Sequence, residues 1–575
     1  MCGISGFIGK KKYFPNKKKI HECINLMKRR GPDNQSFKKI EKKISYLLCS
    51  SRLSIIDLND RSNQPFEDDN GILVFNGEIY NYLEIKKDLI KLGHKFITES
   101  DTEVLLKAYL EWGKGCLKKL EGMFAFCIYN KLSKNIFIAR DRYGIKPLFY
   151  YKNKKNFIFA SEKKAIFNYG IKKKLNIPTI LNFISRGVYQ NNKNTFFDGI
   201  NILEPGKYIN IKDGNFSINS WNDFDININN SIRYDDAKYE LDHLVKKSLK
   251  LSLRSDKNIA LSVSGGVDSS MMIYKLMEEN LGNNITHLAH WTCDDENDEQ
   301  KFAKSLSKLF NKSLINSHFD KKDFFPYLTK CLNHIEEPFG GLSLMAGLKM
   351  CKELKQKKIR VLLDGNGIDE ILGGYQHHIN AYNDGKINYT SQPVQGLNIF
   401  FPNDVINKKF RNLIPNFKIQ KKFNNPLKDT MYNDFAGSKL RRCLLQGDHI
   451  SMSQSIETRY PFLNNELVNF CLSLPNNFLV KKNYEKYIFR DLSNNKIFWE
   501  NKRSSQVPQT KWFRKFILDD LINKLKKDDI FFDLSLFNKK ELLNYLSIWK
   551  KSDLNNSAFP WYLLMTYRFI KNNIK

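Results

Sequence analysis

The sequence predicts an α/β protein in two halves, the second a doubly wound parallel sheet that ends in helices. Three features carry this prediction. Short apolar runs separated by turn residues fill the first part, a polar stretch interrupts the chain at 216–236, and strand, glycine-containing loop and helix alternate beyond it. The expected boundaries are a first domain over 2–215, a linker over 216–236 and a second domain over 237–575.

In the first half a helix near Ile20 to Arg29 stops at Gly31-Pro32. Apolar runs at Ile44–Cys49, Ile72–Phe75, Met123–Tyr129, Ile136–Ala139, Leu148–Tyr151 and Phe157–Ala160 read as strands, and Tyr82–Leu92 and Thr102–Trp112 have helical spacing. The linker is rich in Asn, Asp and Ser. Past it, Ile259–Val263 leads through Gly265-Gly266 into a helix. Ile285–Thr292 leads into a helix at Asp298–Leu309, and Ile359–Leu363 into Asp369–Leu372. That alternation argues for a parallel sheet. The chain after about Asn425 reads as mostly helical, and the Asn- and Lys-rich segment 380–434 reads as a long loop.

Composition narrows the function classes. Of 575 residues, 42% are apolar and 27% charged, the balance of a soluble globular protein. No run of about 18 apolar residues is present, so neither a membrane partner nor a secretory leader is expected and the location is cytoplasmic. The ten cysteines form no CxxC pair, which argues against a disulfide framework or a zinc site. The net charge of +32 comes mainly from scattered lysines rather than an arginine stripe with interleaved aromatics, so no nucleic-acid partner is expected.

Several residues carry chemistry. Cys2, once Met1 is removed, would hold a thiol and a free α-amine on one residue, an activated nucleophile; alone, a cysteine there is more often an ordinary terminal residue. Asn76-Gly77-Glu78 fits a hairpin turn, yet an Asn side chain and a Gly amide can also stabilise an oxyanion. Asp101 in Ser100-Asp101-Thr102-Glu103 fits a helix cap or a carboxylate for a substrate ammonium, and Arg52 a surface charge or a clamp on a carboxylate. Ser264-Gly265-Gly266-Val267-Asp268-Ser269-Ser270 joins a strand to a helix, where amides and the helix terminus favour phosphate. The lysine of a Walker loop is missing, which disfavours γ-phosphoryl transfer. Asp268 and Asp369 are natural Mg²⁺ ligands.

In sequence order, Cys2-Gly3-Ile4, Arg29-Arg30-Gly31-Pro32-Asp33, Arg52-Leu53-Ser54-Ile55, Phe75-Asn76-Gly77-Glu78, Ser100-Asp101-Thr102-Glu103, Gly122-Met123-Phe124-Ala125-Phe126 and Arg140-Asp141-Arg142-Tyr143-Gly144 closely resemble the class II glutamine amidotransferase domain. The resemblance implies an N-terminal-nucleophile αββα sandwich of two stacked sheets between helical layers. It implies that Cys2 forms a glutamyl thioester and that Asn76 and Gly77 build the oxyanion hole. Arg52, Leu53, Ser54, Asn76, Gly77, Glu78 and Asp101 would bind glutamine.

The serine-glycine loop is similar to that of ATP pyrophosphatases. With Leu363-Asp364-Gly365-Asn366-Gly367-Ile368-Asp369, Glu457-Thr458-Arg459-Tyr460-Pro461-Phe462-Leu463 and Glu485-Lys486-Tyr487, the chain resembles the glutamine-hydrolysing asparagine synthetase family from Cys2 to about Trp512. That implies a carbon–nitrogen ligase using ATP and Mg²⁺, with small-molecule substrates and, by analogy, a homodimer. ATP contacts are implied at Val263, Ser264, Gly265, Gly266, Asp268, Ser269, Ser270, His290, Asp364 and Gly365, and a pyrophosphate contact at Lys486.

Asn366 departs from the glutamate that the best-understood members carry in their Gly-x-Gly turn, and an amide cannot accept a proton from an attacking amine. His290-Trp291 and the long segment 380–434 also differ on the acceptor side. The resemblance makes aspartate the default acceptor, and these departures point to the alternative, a uronic acid of a surface polysaccharide.

Overall fold

The computed structural model describes all residues except 1, 43, 213, 223, 225, 265, 294–299, 388–402, 416–418, 500–507, 553–556 and 574–575. The strands in chain order are β1 (Cys2–Lys10), β2 (Asn34–Ile40), β3 (Ile44–Arg52), β4 (Phe66–Glu67), β5 (Gly71–Ile79), β6 (Gly122–Asn130), β7 (Asn135–Arg140), β8 (Phe149–Lys152), β9 (Asn156–Ala160), β10 (Ile200–Ile202), β11 (Lys207–Lys212) and β12 (Asn215–Ser220) in the first half. The second half adds β13 (Ile259–Ser262), β14 (Ile285–Cys293), β15 (Ser313–Phe319), β16 (Val361–Leu363) and β17 (Glu457–Arg459).

Strands β1–β12 make two antiparallel sheets, ordered β10-β8-β9-β1-β3-β2 and β12-β11-β7-β6-β5-β4. Alternate residues of both meet in one core: Ile4, Ile8 and Leu48 from the first pack with Ile72, Val74, Cys127 and Ile138 from the second. The opposite face of the second sheet buries Phe75, Phe124 and Phe126 under the helices Tyr82–Lys91 and Asp101–Trp112. The outer face of the first sheet buries Phe7, Leu47 and Cys49 under Lys17–Leu26 and Ile177–Arg186. Period-two side-chain alternation thus gives each sheet two apolar faces, and the helices cover the outer pair, an αββα sandwich.

The second half centres on the parallel sheet β15-β14-β13-β16-β17. Strand order reverses at β13, between its neighbours β14 and β16, and ligands bind at such switch points outside the carboxyl ends of the strands. The C-terminal part is helical and reaches back to the first half, with Tyr562 and Phe569 packing on Phe183 and Phe196 at ring separations of 4.8 and 5.5 Å. Among the described residues no helix is long and apolar enough to cross a membrane.

Two expectations need correction, and part of a third lies outside the described residues. The linker is shorter than 216–236, because residues 216–220 form most of β12, whose alternating side chains lie on an exposed sheet edge and so read as polar chain, and because a helix begins at Tyr234. The segment 380–434 is not one loop: helices run at Gln376–Asp384, Lys408–Arg411 and Pro426–Ala436, the last started by an Asn425 cap and a proline in the first turn. The helix expected from Asp298 is described from Gln300; its first residues lie outside the described set.

Candidate active sites

Cys2 opens β1 and pairs in register with Arg52 at the end of β3. Its α-nitrogen donates to Asn76 Oδ1 at 3.2 Å, and Gln64 Nε2 donates to its sulfur at 3.7 Å. The Asn76 amide nitrogen is buried and has no hydrogen-bond partner among the described residues. A donor left over beside a thiol is what a developing oxyanion requires. Gly77 is forced by close packing, since a Cβ there would lie 2.1 Å from the Met123 carbonyl on β6.

Cys2 and Gly77 edge a narrow cleft lined also by Arg52, Leu53, Gln64, Glu78 and Asp101 among others. Arg52 is pinned by carbonyls, donating to Asp57 O at 2.6 Å and Asn59 O at 3.2 Å, and to Asn63 Oδ1 at 3.0 Å. Among the described residues no carboxylate pairs with it, so its charge remains available to an anion. Across the cleft, Asp101 begins the helix Asp101–Trp112 and accepts from the Ile79 amide at 3.0 Å. Burial lifts its carboxyl to about 6, opposed by that hydrogen bond. Glu78 is raised further, by burial and by the Asp101 charge, with Arg459 opposing from 3.4 Å. One cation and two carboxylates face the same space, a layout suited to an amino acid's α-groups. Ser54 lies outside the cleft, its amide donating to Asp33 at 2.9 Å.

The second site lies at the switch point. Ser264 and Gly266 leave the carboxyl end of β13, and Gly266 caps the helix Val267–Glu278. Gly265 lies outside the described residues. The loop is folded by hydroxyls: the Ser264 amide donates to Ser269 Oγ and the Gly266 amide to Ser264 Oγ, both at 3.2 Å. The buried Ser270 hydroxyl has no partner among the described residues. His290, from β14, donates Nδ1–H to the Val263 carbonyl at 2.7 Å.

From the neighbouring strand end, Asp364 accepts from the Asn366 amide at 3.0 Å and burial raises its carboxyl. Gly365 packs beside Asp268, 3.4 Å from where a Cβ would stand. Lys486 is almost fully buried and bridges Asp268 at 2.5 Å and Asp369 at 2.6 Å. Burial alone would lower its pKa; the two carboxylates outweigh burial and raise it. The sequence motifs, more than 200 residues apart, thus meet within one hydrogen-bond length, whereas the Asn366 side chain is exposed.

A family model described as asparagine synthase matches residues 240–570, and one described as a glutamine amidotransferase domain matches 1–222. The chain belongs to the asparagine synthase family. It is a carbon–nitrogen ligase with a glutamine amidotransferase domain. A putative glutamine-hydrolyzing asparagine synthetase 2 from Methanocaldococcus jannaschii is 30% identical over 493 residues, covering 78% of this chain and 92% of that protein. Glutamine-hydrolyzing asparagine synthetases 2 and 3 from Bacillus subtilis are 29% and 26% identical over 555 and 528 residues. They cover 88% and 85% of this chain and 71% and 84% of their own.

Two features of this family member escape sequence reasoning. Gln64, beside the Cys2 sulfur, also accepts from the Phe75 amide at 2.7 Å; it sits in an irregular segment with no periodic signal. Asp448 lies under Cys2 from the other half, binding Arg30 at 2.7 Å and Lys146 at 3.1 Å, while Arg30 also donates to the Cys2 carbonyl at 3.3 Å. Burial lowers the Lys146 pKa and would lower that of Arg30, but Asp448 and Glu162 outweigh it there.

Proposed function

We propose that this chain forms an amide from a carboxylate acceptor, glutamine and ATP, with aspartate the default acceptor and the reaction divided between residues 2–215 and 237–575. The observation that carries the reading is the cleft that gathers a thiol, a carbonyl-held arginine and two carboxylates, with a spare buried amide donor beside the thiol.

In the first half the Cys2 sulfur attacks the glutamine side-chain carbonyl, and the α-amine freed by loss of Met1 relays the thiol proton to the departing nitrogen. The carbonyl oxygen, negative in the transition state, is held by Asn76 Nδ2 and the Gly77 amide. Arg52 binds the α-carboxylate, Asp101 and Glu78 the α-ammonium, and Leu53 completes the wall. Ammonia leaves; water then cleaves the thioester and releases glutamate.

In the second half the acceptor carboxylate attacks the ATP α-phosphorus, giving an acyl-adenylate and pyrophosphate. Ammonia, carried internally, then attacks the acyl carbon and AMP departs. Val263, His290, Asp364 and Gly365 line the nucleotide, while Ser264, Gly265, Gly266, Ser269 and Ser270 present donors to its phosphates and Lys486 to the departing pyrophosphate. Asp268 and Asp369 fit Mg²⁺: both carboxylates converge on the point now held by the Lys486 ammonium, and Mg²⁺ takes one or two carboxylates plus phosphate oxygens. The ion would neutralise phosphate charge.

The test is pyrophosphate release and amide formation with ATP and ammonium against aspartate and a panel of uronic acids, repeated with glutamine. Aspartate is expected to be converted with either nitrogen source. Cys2→Ala should lose glutamine use and keep ammonium use; equal loss of both, or no acceptor-dependent pyrophosphate, overturns the reading.

A further inference from the structure

His377 and His378 open the helix Gln376–Asp384, and Asp434 lies near the end of Pro426–Ala436. All three are buried, at 4%, 0% and 6% exposure. The two imidazole Nε2 atoms lie 2.5 and 3.0 Å from the same oxygen, Asp434 Oδ2. One ligand atom from each residue falls within 4.8 Å of those of the other two. The chain has only ten histidines, and no group used in either proposed active site belongs to this cluster.

We propose that His377, His378 and Asp434 form a binding site for a borderline divalent cation such as Zn²⁺. Two imidazoles and a carboxylate are a recognised donor set for that ion, with bonds of about 2.0–2.2 Å and a fourth position left open. Tetrahedral ligands at those bond lengths stand roughly 3.3 Å apart, so the present contacts need open only slightly. The carboxylate already draws a cation: Lys439 Nζ lies 3.6 Å from the same oxygen on a side chain 29% exposed, and it can swing to water when a metal enters. The ring of His377 is fixed by stacking on Tyr375 at 5.3 Å and 9°, and Tyr375 is held in turn by donating to Glu370 at 2.6 Å. That support orients the ligand, as metal sites require.

The consequence is mechanical. Residues 377 and 434 are 57 positions apart, and a metal between them clips the helices Gln376–Asp384 and Pro426–Ala436 together. Clips that close long loops remove the most unfolded-state freedom.

The full-length Cys2→Ala protein, which lacks the reactive thiol, is stripped with chelator, loaded with Zn²⁺ and passed through a desalting column. One tightly bound Zn²⁺ per chain and a higher Tm are expected. His378→Ala and Asp434→Asn should each weaken Zn²⁺ binding more than about 100-fold, beyond the 10–100-fold typical of losing a supporting partner. Asp268→Asn should retain it, which separates this site from the phosphate loop. Because the ligand variants can fail to fold, X-ray absorption of the loaded protein supplies a second reading: two imidazoles with oxygen are expected. No retained zinc, retention in the ligand variants, or a shell of oxygen or sulfur without imidazole overturns the proposal.

Discussion

Glutamine use should fall on the acid side with a pKa set by Asp101. An isolated aspartate titrates at 3.8, but burial holds this one at about 6. The difference of roughly two units corresponds to about 3 kcal/mol favouring the neutral form in the empty cleft. An acid whose folded pKa stands above its unfolded value binds a proton on folding, so this group's contribution to stability declines as pH rises from about 4 to 6 and is level above. Binding has the opposite sign, because an α-ammonium needs the ionised carboxylate. At pH 6 about half of the carboxyls are ionised and at pH 5 about a tenth, so kcat/KM for glutamine should lose about fivefold from this group between pH 6 and 5. Asp101→Asn keeps an oxygen for the Ile79 amide and removes the charge. Losing a charge-assisted hydrogen bond of about 1.5–3 kcal/mol should lower kcat/KM about 10–150-fold at pH 7.5 and erase this acid limb. Glutamate release measured from pH 5 to 8 tests both. A limb near pH 4, or one that survives intact in Asp101→Asn, would refute the assignment.

The packing permits two further predictions. Gly77→Ala drives a methyl into the Met123 carbonyl, so β5 must move away from β6; glutamine-dependent turnover should fall at least tenfold while ammonium-dependent turnover stays within about twofold, as parallel assays would reveal. Asp448→Asn removes the carboxylate from two buried cations, a change that costs about 3–5 kcal/mol, moderated here because Arg30 keeps Glu162 at 3.6 Å. Its Tm should drop by several degrees in a thermal scan, with more glutamate released per amide formed; an unchanged Tm would count against the seam being tightly coupled.

Much of the first cleft was legible because its residues sit in short motifs whose chemistry is local. Asn76-Gly77 directly follows the apolar run Ile72–Phe75 within β5, and Asp101 follows a serine that caps the helix in the structure as the sequence implies, accepting from the Thr102 amide at 3.1 Å. The loop after β13 was legible for the same reason, with a strand, glycines and hydroxyls in immediate succession. Edge strands were not. In β2, Asn34–Ile40, both faces are partly exposed and the residues are polar, so only pairing with β3 makes it a strand. Gln64, the Glu78–Arg459 contact and the His377–His378–Asp434 cluster are tertiary facts. Their partners lie 62, 381 and 57 positions apart, and no local periodicity encodes them.

The join between the halves bears directly on the proposed passage of ammonia from one site to the other. Arg459, at the end of β17, reaches across to Glu78 in the glutamine cleft at 3.4 Å, while its own carbonyl accepts from the Asp364 amide at 2.9 Å. The rest of its guanidinium is spent on Glu457 and on the carbonyls of Ser252 and Arg254. One residue thus touches the wall of the first site and the turn that opens the second. On the other side of Cys2, Asp448 ties Arg30 and Lys146, and Lys163 pairs with Glu337 at 3.4 Å, both fully buried. Charges removed from water in this way are stable only while paired, so sliding or hinging of the halves would leave several uncompensated at once. The seam therefore holds the two sites at a fixed separation. On the proposed reading, a nitrogen released beside Cys2 has a constant path to travel, and catalytic coordination comes from side chains and substrates rather than from the halves closing on each other.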